Sequence, residues 1–197
     1  DLETRKSAVA GIEGVSQDAV PAITKQLTSL RKTPQTAGVQ SALKVARDAL
    51  GKEATKDKDK EIDLLDALVK TKSDGQGYRT AITTAALLRA LAHIGTTPAV
   101  KQLVKVAVDH GGSLRPEVAR HVKALGDKAI PALIETRKEP SSELRHWSFS
   151  QLEAMGKRVP GDAVQTKDNQ VLAAVLRAFA NVHDMDALPV LLSFVNS

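Results

Sequence analysis

LRPEVARHVKALG, residues 114–126, and LRHWSFSQLEAMG, residues 144–156, are two copies of one pattern. Each opens on Leu-Arg, repeats apolar residues at helical spacing and closes on Gly twelve residues after the Leu. DKAIPALIETRKEPSSE separates the copies, so the unit is 30 residues long. A period of that size means stacked supersecondary units, each too small to bury its own apolar face and dependent on its neighbours.

The pattern extends in both directions. Its closing residues, Gly51, Gly95, Gly126, Gly156 and His183, stand 44, 31, 30 and 27 residues apart, with Val39, Thr83, Leu114, Leu144 and Val171 twelve residues before them. The first helix joins if its end is shifted to Glu13, which aligns Val9 with Leu91, Val122, Leu152 and Phe179. A second motif recurs after the closing residue: DAVPAI, PAVKQL, KAIPAL and DALPVL. It carries Pro21, Pro131 and Pro189 at one position, with Lys101 as the exception.

Together these motifs resemble HEAT repeats, in particular the bacterial PBS-lyase type, in which a helix close to AVPALIEAL alternates with one close to VRxxAAxALGxIG. Leu114-Arg115 and Leu144-Arg145 match the Val-Arg pair, and Ala124-Leu125-Gly126 and Ala154-Met155-Gly156 match the Ala-Leu-Gly end. Thr83-Thr84 and Val171-Leu172 lack the Arg, and the spacer after Gly156, interrupted by Pro160 and Gly161, has lost much of its helix. The resemblance covers nearly the whole chain. It implies an all-α fold, an α-α superhelix of about five to six stacked helix pairs in one domain spanning residues 1–197. It also implies a scaffold that holds another macromolecule on its concave face.

Start and stop signals support the helices one by one. Ser16 or Asp18 caps a helix carrying Val20, Ile23, Leu27 and Leu30; Pro34 opens the next, which is expected to stop at Gly51 as a C-cap. KEATKDKDKE, residues 52–61, has four Lys against four acids and no apolar stripe, and reads as a solvated loop or frayed helix end. EIDLLDALVKTK follows, Gly75 and Gly77 break the chain, and the next helix ends at Gly95. Thr97 is read as the following cap and Gly111-Gly112 as a turn. No stretch shows the period-2 alternation of a half-buried strand.

Composition narrows the function classes. Cysteine is absent, which excludes disulfides, thiolate metal sites and a Cys nucleophile while leaving the compartment open. No apolar run approaches the roughly 18 residues of a membrane span, and DLETRKSAVAG does not read as a signal peptide, so a soluble chain without membrane insertion is expected. Aromatic residues make up 3%, too few for a base-stacking platform or a large aromatic ligand pocket. The net charge of +5 permits modest attraction to acidic proteins or nucleic acid. The five histidines form no HExxH, and neither GxSxG nor a P-loop is present, so no catalytic residue, metal, cofactor or small-molecule substrate is expected. The repeat type also carries enzymes, among them deoxyhypusine hydroxylases with His-Glu metal pairs and alkylpurine DNA glycosylases with exposed Trp residues. This chain has no His-Glu pair and a single Trp.

Helical arithmetic picks out a candidate face. With each second helix numbered from 0 at Val39, Thr83, Leu114, Leu144 or Val171, positions 4, 7, 8 and 11 face the core at 100° per residue. Positions 2, 6 and 9 are left for solvent, and in this family that ridge lines the concave surface. Position 6 holds Arg89, Arg120, Ser150 and Arg177; positions 2 and 9 add His146, Lys123 and Glu153. Arg89, Arg120, Lys123, His146 and Arg177 are the expected partner-binding residues, because guanidinium forks grip carboxylates or phosphates; ordinary solvated helix residues would look the same. Trp147 at flanking position 3 would be a binding anchor if exposed and an inter-repeat packing residue if buried. Arg115 and Arg145 are expected to bind carbonyls or acids of the adjacent turn.

The leading expectation is a noncatalytic scaffold whose protein partner presents an acidic segment. Alternatives are a nucleic-acid-binding module related to the glycosylases and a structural spacer within a larger protein. The first and last helices lack a partner of their own, which reads as a fragment of a longer polypeptide.

Overall fold

A computed structural model describes Ser7 and residues 10–12, 14–32, 35–54, 63–71 and 75–156. Expectations for Val9, Glu13, Arg177, His183, the spacer after Gly156 and the last two helices fall outside these residues, as does most of the 52–61 loop. All regular structure among the described residues is helical. The α-helices are α1 (Val20–Arg31), α2 (Thr36–Ala54), α3 (Leu64–Lys70), α4 (Gln76–Ile94), α5 (Thr97–Lys105), α6 (Arg115–Leu125), α7 (Ile130–Thr136) and α8 (Ser142–Ala154). No helix among the described residues is long and apolar enough to cross a membrane.

Several sequence signals act locally as their chemistry requires, but the expected Ser16 or Asp18 cap does not form: Ala19 is the N-cap of α1, and neither it nor Ser16 makes a side-chain cap bond. Pro21, Pro98, Pro116 and Pro131 sit in first turns, where no intrahelical partner waits for an N–H. Asp63 caps α3 by accepting the Leu65 N–H at 2.9 Å, and Ser141 caps α8 by accepting that of Leu144 at 3.3 Å. Gly95 ends α4 in the left-handed conformation, φ 63° and ψ 6°.

Three local expectations are corrected. Gly51 is no cap: α2 continues through it to Ala54, so residues 52–54 of the charged stretch are helical. Beyond the helix's own backbone, nothing stands within 4 Å of where a Cβ on Gly51 would be. Thr97 is the first residue of α5 and Thr96 its extended N-cap, without a side-chain cap bond. The Gly111-Gly112 turn begins one residue earlier, because His110 is itself left-handed at φ 51°, followed by Gly111 at 65° and Gly112 at 76°. Gln40 Nε2 donates to the His110 carbonyl at 2.9 Å, and Asp109 pairs with Arg31 at 3.0 Å, fixing this turn against α2 and α1.

Helical periodicity places most of the core correctly. Val39, Leu43 and Ala46 on α2, Leu91 on α4, Val118 and Val122 on α6, and Leu152 on α8 are all buried. α5 packs against α7 and α7 against α8, while α4 contacts α2, α5 and α6. α2 crosses α4 at a glycine pair: a Cβ on Gly77 would lie 2.6 Å from both Cα and C of Gly38. Only two residues without side chains permit that approach.

Strict alternation of first and second helices fails at α3. In a regular stack α3 would lie in the row of α1 and α5. Instead α1 packs on α4 and α5, and α3 packs on α2 and α4. Ala85, at ridge position 2 of α4, is 2% exposed, and Leu64, Leu65, Ala67 and Leu68 of α3 are buried. α3 therefore lies over the ridge of the second helices. The tyrosine of α4 holds its far end: the Tyr78 hydroxyl lies against the Leu68 carbonyl and 2.6 Å from that of Thr71.

Candidate functional site

The ridge divides into a covered part and an open part. In the covered part Asp63, at the start of α3, reaches two second helices at once. Its Oδ2 lies 3.1 Å from Arg120 Nη2 and 3.5 Å from Arg89 Nη1, and Asp66 Oδ1 is 4.0 Å from the same Arg89 nitrogen. Arg120 also takes Glu117 in a two-pronged grip, Nη2 to Oε1 at 2.8 Å and Nε to Oε2 at 3.2 Å. Glu117 Oε1 is 3.0 Å from His121 Nε2, one turn further along α6. Arg89 and Arg120, expected in solvent, are thus half-buried and held by carboxylates of their own chain. The cause is α3, whose departure from alternation a helical wheel of α4 or α6 cannot register.

Burial sets the electrostatics of this cluster. It raises the pKa of Asp63, with neighbouring Glu117 adding to the rise against the Leu65 N–H and Arg120. It lowers that of Arg47, which faces the Glu117 charge from α2. Burial also opposes the charge on Glu117, but His121 in close contact and the hydrogen bonds from Arg120 prevail and bring its carboxyl down to about 2. A carboxylate depressed in the fold contributes stability that is present above its unfolded value and lost as the pH falls toward its folded one. Acid should therefore weaken the protein between about pH 4.5 and about pH 2. The loss is at most about 3 kcal/mol, less the opposite contribution of Asp63, whose raised pKa favours the fold as it protonates. Urea titrations over this pH range should show the slope in the wild type and a flatter one in Glu117→Gln.

Sequence reasoning missed this cluster, although one signal was present. His121 occupies core-facing position 7 and needs a polar partner, and Glu117 stands one turn before it. No group of three or more candidate metal ligands occurs among the described residues.

In the open part, Lys123 and His146 are exposed, as expected. The His146 Nδ1 lies 2.7 Å from the Ser142 carbonyl. Trp147 is only 8% exposed. With Arg115, Ser142, Glu143, His146 and Ser150 it lines an open groove of about 340 Å³. Burial makes Trp147 a packing residue before it is anything else. Arg145 Nη1 donates to the carbonyls of Glu139 at 3.0 Å and Pro140 at 2.8 Å in the turn before α8, as its position suggested, whereas Arg115 pairs not with its adjacent turn but with Glu143 at the start of α8.

No family model matches this chain, and neither a curated protein nor a solved structure does.

Proposed function

We propose that this chain is a noncatalytic helical-repeat module of HEAT type that binds a protein partner along the ridge of its second helices. The observation that carries the reading is Asp63. Its carboxylate sits between Arg89 and Arg120 on two successive second helices, so the ridge already receives an acid-capped helix, supplied by the chain itself. The partner surface continues from there to Lys123 and His146, and an acidic protein segment is the matching chemistry. Arg177 extends the same position of the repeat in the sequence.

The test is capture of a partner from native cells, read by mass spectrometry. Lys123→Glu with His146→Glu should reduce recovery of the partner at least tenfold. Both residues are exposed, so stability should stay within about 0.5 kcal/mol of the wild type. Undiminished recovery by the double variant would remove this face from consideration. Recovery of nucleic acid, with affinity falling steeply as salt is added, would replace the protein partner by a phosphate backbone.

A further inference from the structure

We infer that α3 is an internal strap, occupying on the ridge the place of a partner helix and exchanging with one. The inference rests on the proposed function and concerns how that site is regulated. Three features of the strap support it.

First, α3 is the helix that leaves the alternation, packing on α2 and α4, and ridge residue Ala85 of α4 is buried. Second, its hold is of the kind a docked ligand would have. Asp63 bridges Arg89 and Arg120 at one end, the Tyr78 hydroxyl meets the Leu68 and Thr71 carbonyls at the other, and Leu64, Leu65 and Leu68 are buried between. Third, α3 has seven residues, too few to persist as a helix once lifted from its seat. It therefore docks as a unit and unfolds as a unit.

Release of α3 alone would expose three leucines and leave two arginines without their shared carboxylate. Replacement avoids both losses. An incoming amphipathic helix with an Asp at its start and leucines at the spacing of Leu64 and Leu68 restores the ion pairs and the apolar contact together. The occupant is thus an acid-capped, leucine-bearing helix of a protein partner. The tethered copy competes with it at the high effective concentration of an intramolecular ligand. Arg89 and Arg120 then belong to the partner surface after all, shielded until exchange.

Native-state hydrogen exchange of the full chain tests this, with a synthetic peptide of residues 61–72, EIDLLDALVKTK, as the probe. The amides of α3 are expected to exchange at least tenfold faster than those of α4 and α6, through an opening of their own. Millimolar peptide should accelerate them at least a further tenfold, while a peptide with both Asp replaced by Asn should not. Exchange of α3 only at the rate of α4 and α6, or indifference to the peptide, would overturn the strap. Either result combined with loss of partner capture in the Lys123→Glu, His146→Glu variant would leave the binding role intact. Normal capture in that variant would count against the proposed face instead, whatever the exchange of α3.

Discussion

Replacing Glu117 by Ala is expected to destabilise the protein by about 3–5 kcal/mol, since it removes one partner from a buried ionic cluster. Glu117 is 7% exposed and serves Arg120 through two hydrogen bonds and His121 through a 3.0 Å contact, with Arg47 facing it from α2. Without the carboxylate, Arg120 still faces Asp63, 3.1 Å away. For a domain of this size the change corresponds to a fall in melting temperature of roughly 6–20 °C, measurable by calorimetry. Glu117→Gln keeps the volume and part of the hydrogen bonding and should lose less. A Glu117→Ala variant melting with the wild type would mean that the cluster is solvated and weak.

The second large effect is expected at the α2–α4 crossing. A methyl group on Gly77 would stand 2.6 Å from the backbone of Gly38, an atom pair that cannot be relieved by a rotamer change. The helices must separate, and Gly77→Ala should cost about 2–3 kcal/mol or more. Gly51→Ala is the matched control. That glycine also lies inside a helix, yet nothing stands within 4 Å of the added carbon. There the substitution should stabilise by about 0.5–1 kcal/mol, the ordinary helical preference of Ala over Gly. Chemical denaturation of the two variants side by side separates close packing from backbone preference, and equal effects would refute the close crossing.

These two glycines also show what the sequence can and cannot convey. Gly51 stands at the end of an aligned repeat and reads as a stop, as Gly95 does correctly. What distinguishes them is the left-handed turn formed at Gly95 but not at Gly51, where the helix carries on to Ala54. Gly77 reads as a breaker before α4, although it lies within the helix and its role depends on a glycine 39 residues away in sequence.

The core positions were legible because helical period alone determines which side of α2, α6 or α8 turns inward. The course of α3 was not. Its Leu64, Leu65 and Leu68 would serve equally well in the row of α1 and α5, and its seat over α4 follows from tertiary packing. Once α3 is there, the ridge arginines change character. Lys123 and His146, beyond its reach, remain as exposed as the helical wheel places them, and Trp147 is buried.

A double-mutant cycle between Asp63 and Arg120 tests the covered ridge most directly. Asp63→Asn, Arg120→Gln and the double variant would each be measured by urea denaturation against the wild type. With Asp63 Oδ2 3.1 Å from Arg120 Nη2 in a half-buried site, the coupling should be about 1–3 kcal/mol. Additive effects, with coupling below about 0.3 kcal/mol, would show that α3 does not hold the ridge through this carboxylate and would return Arg89 and Arg120 to solvent.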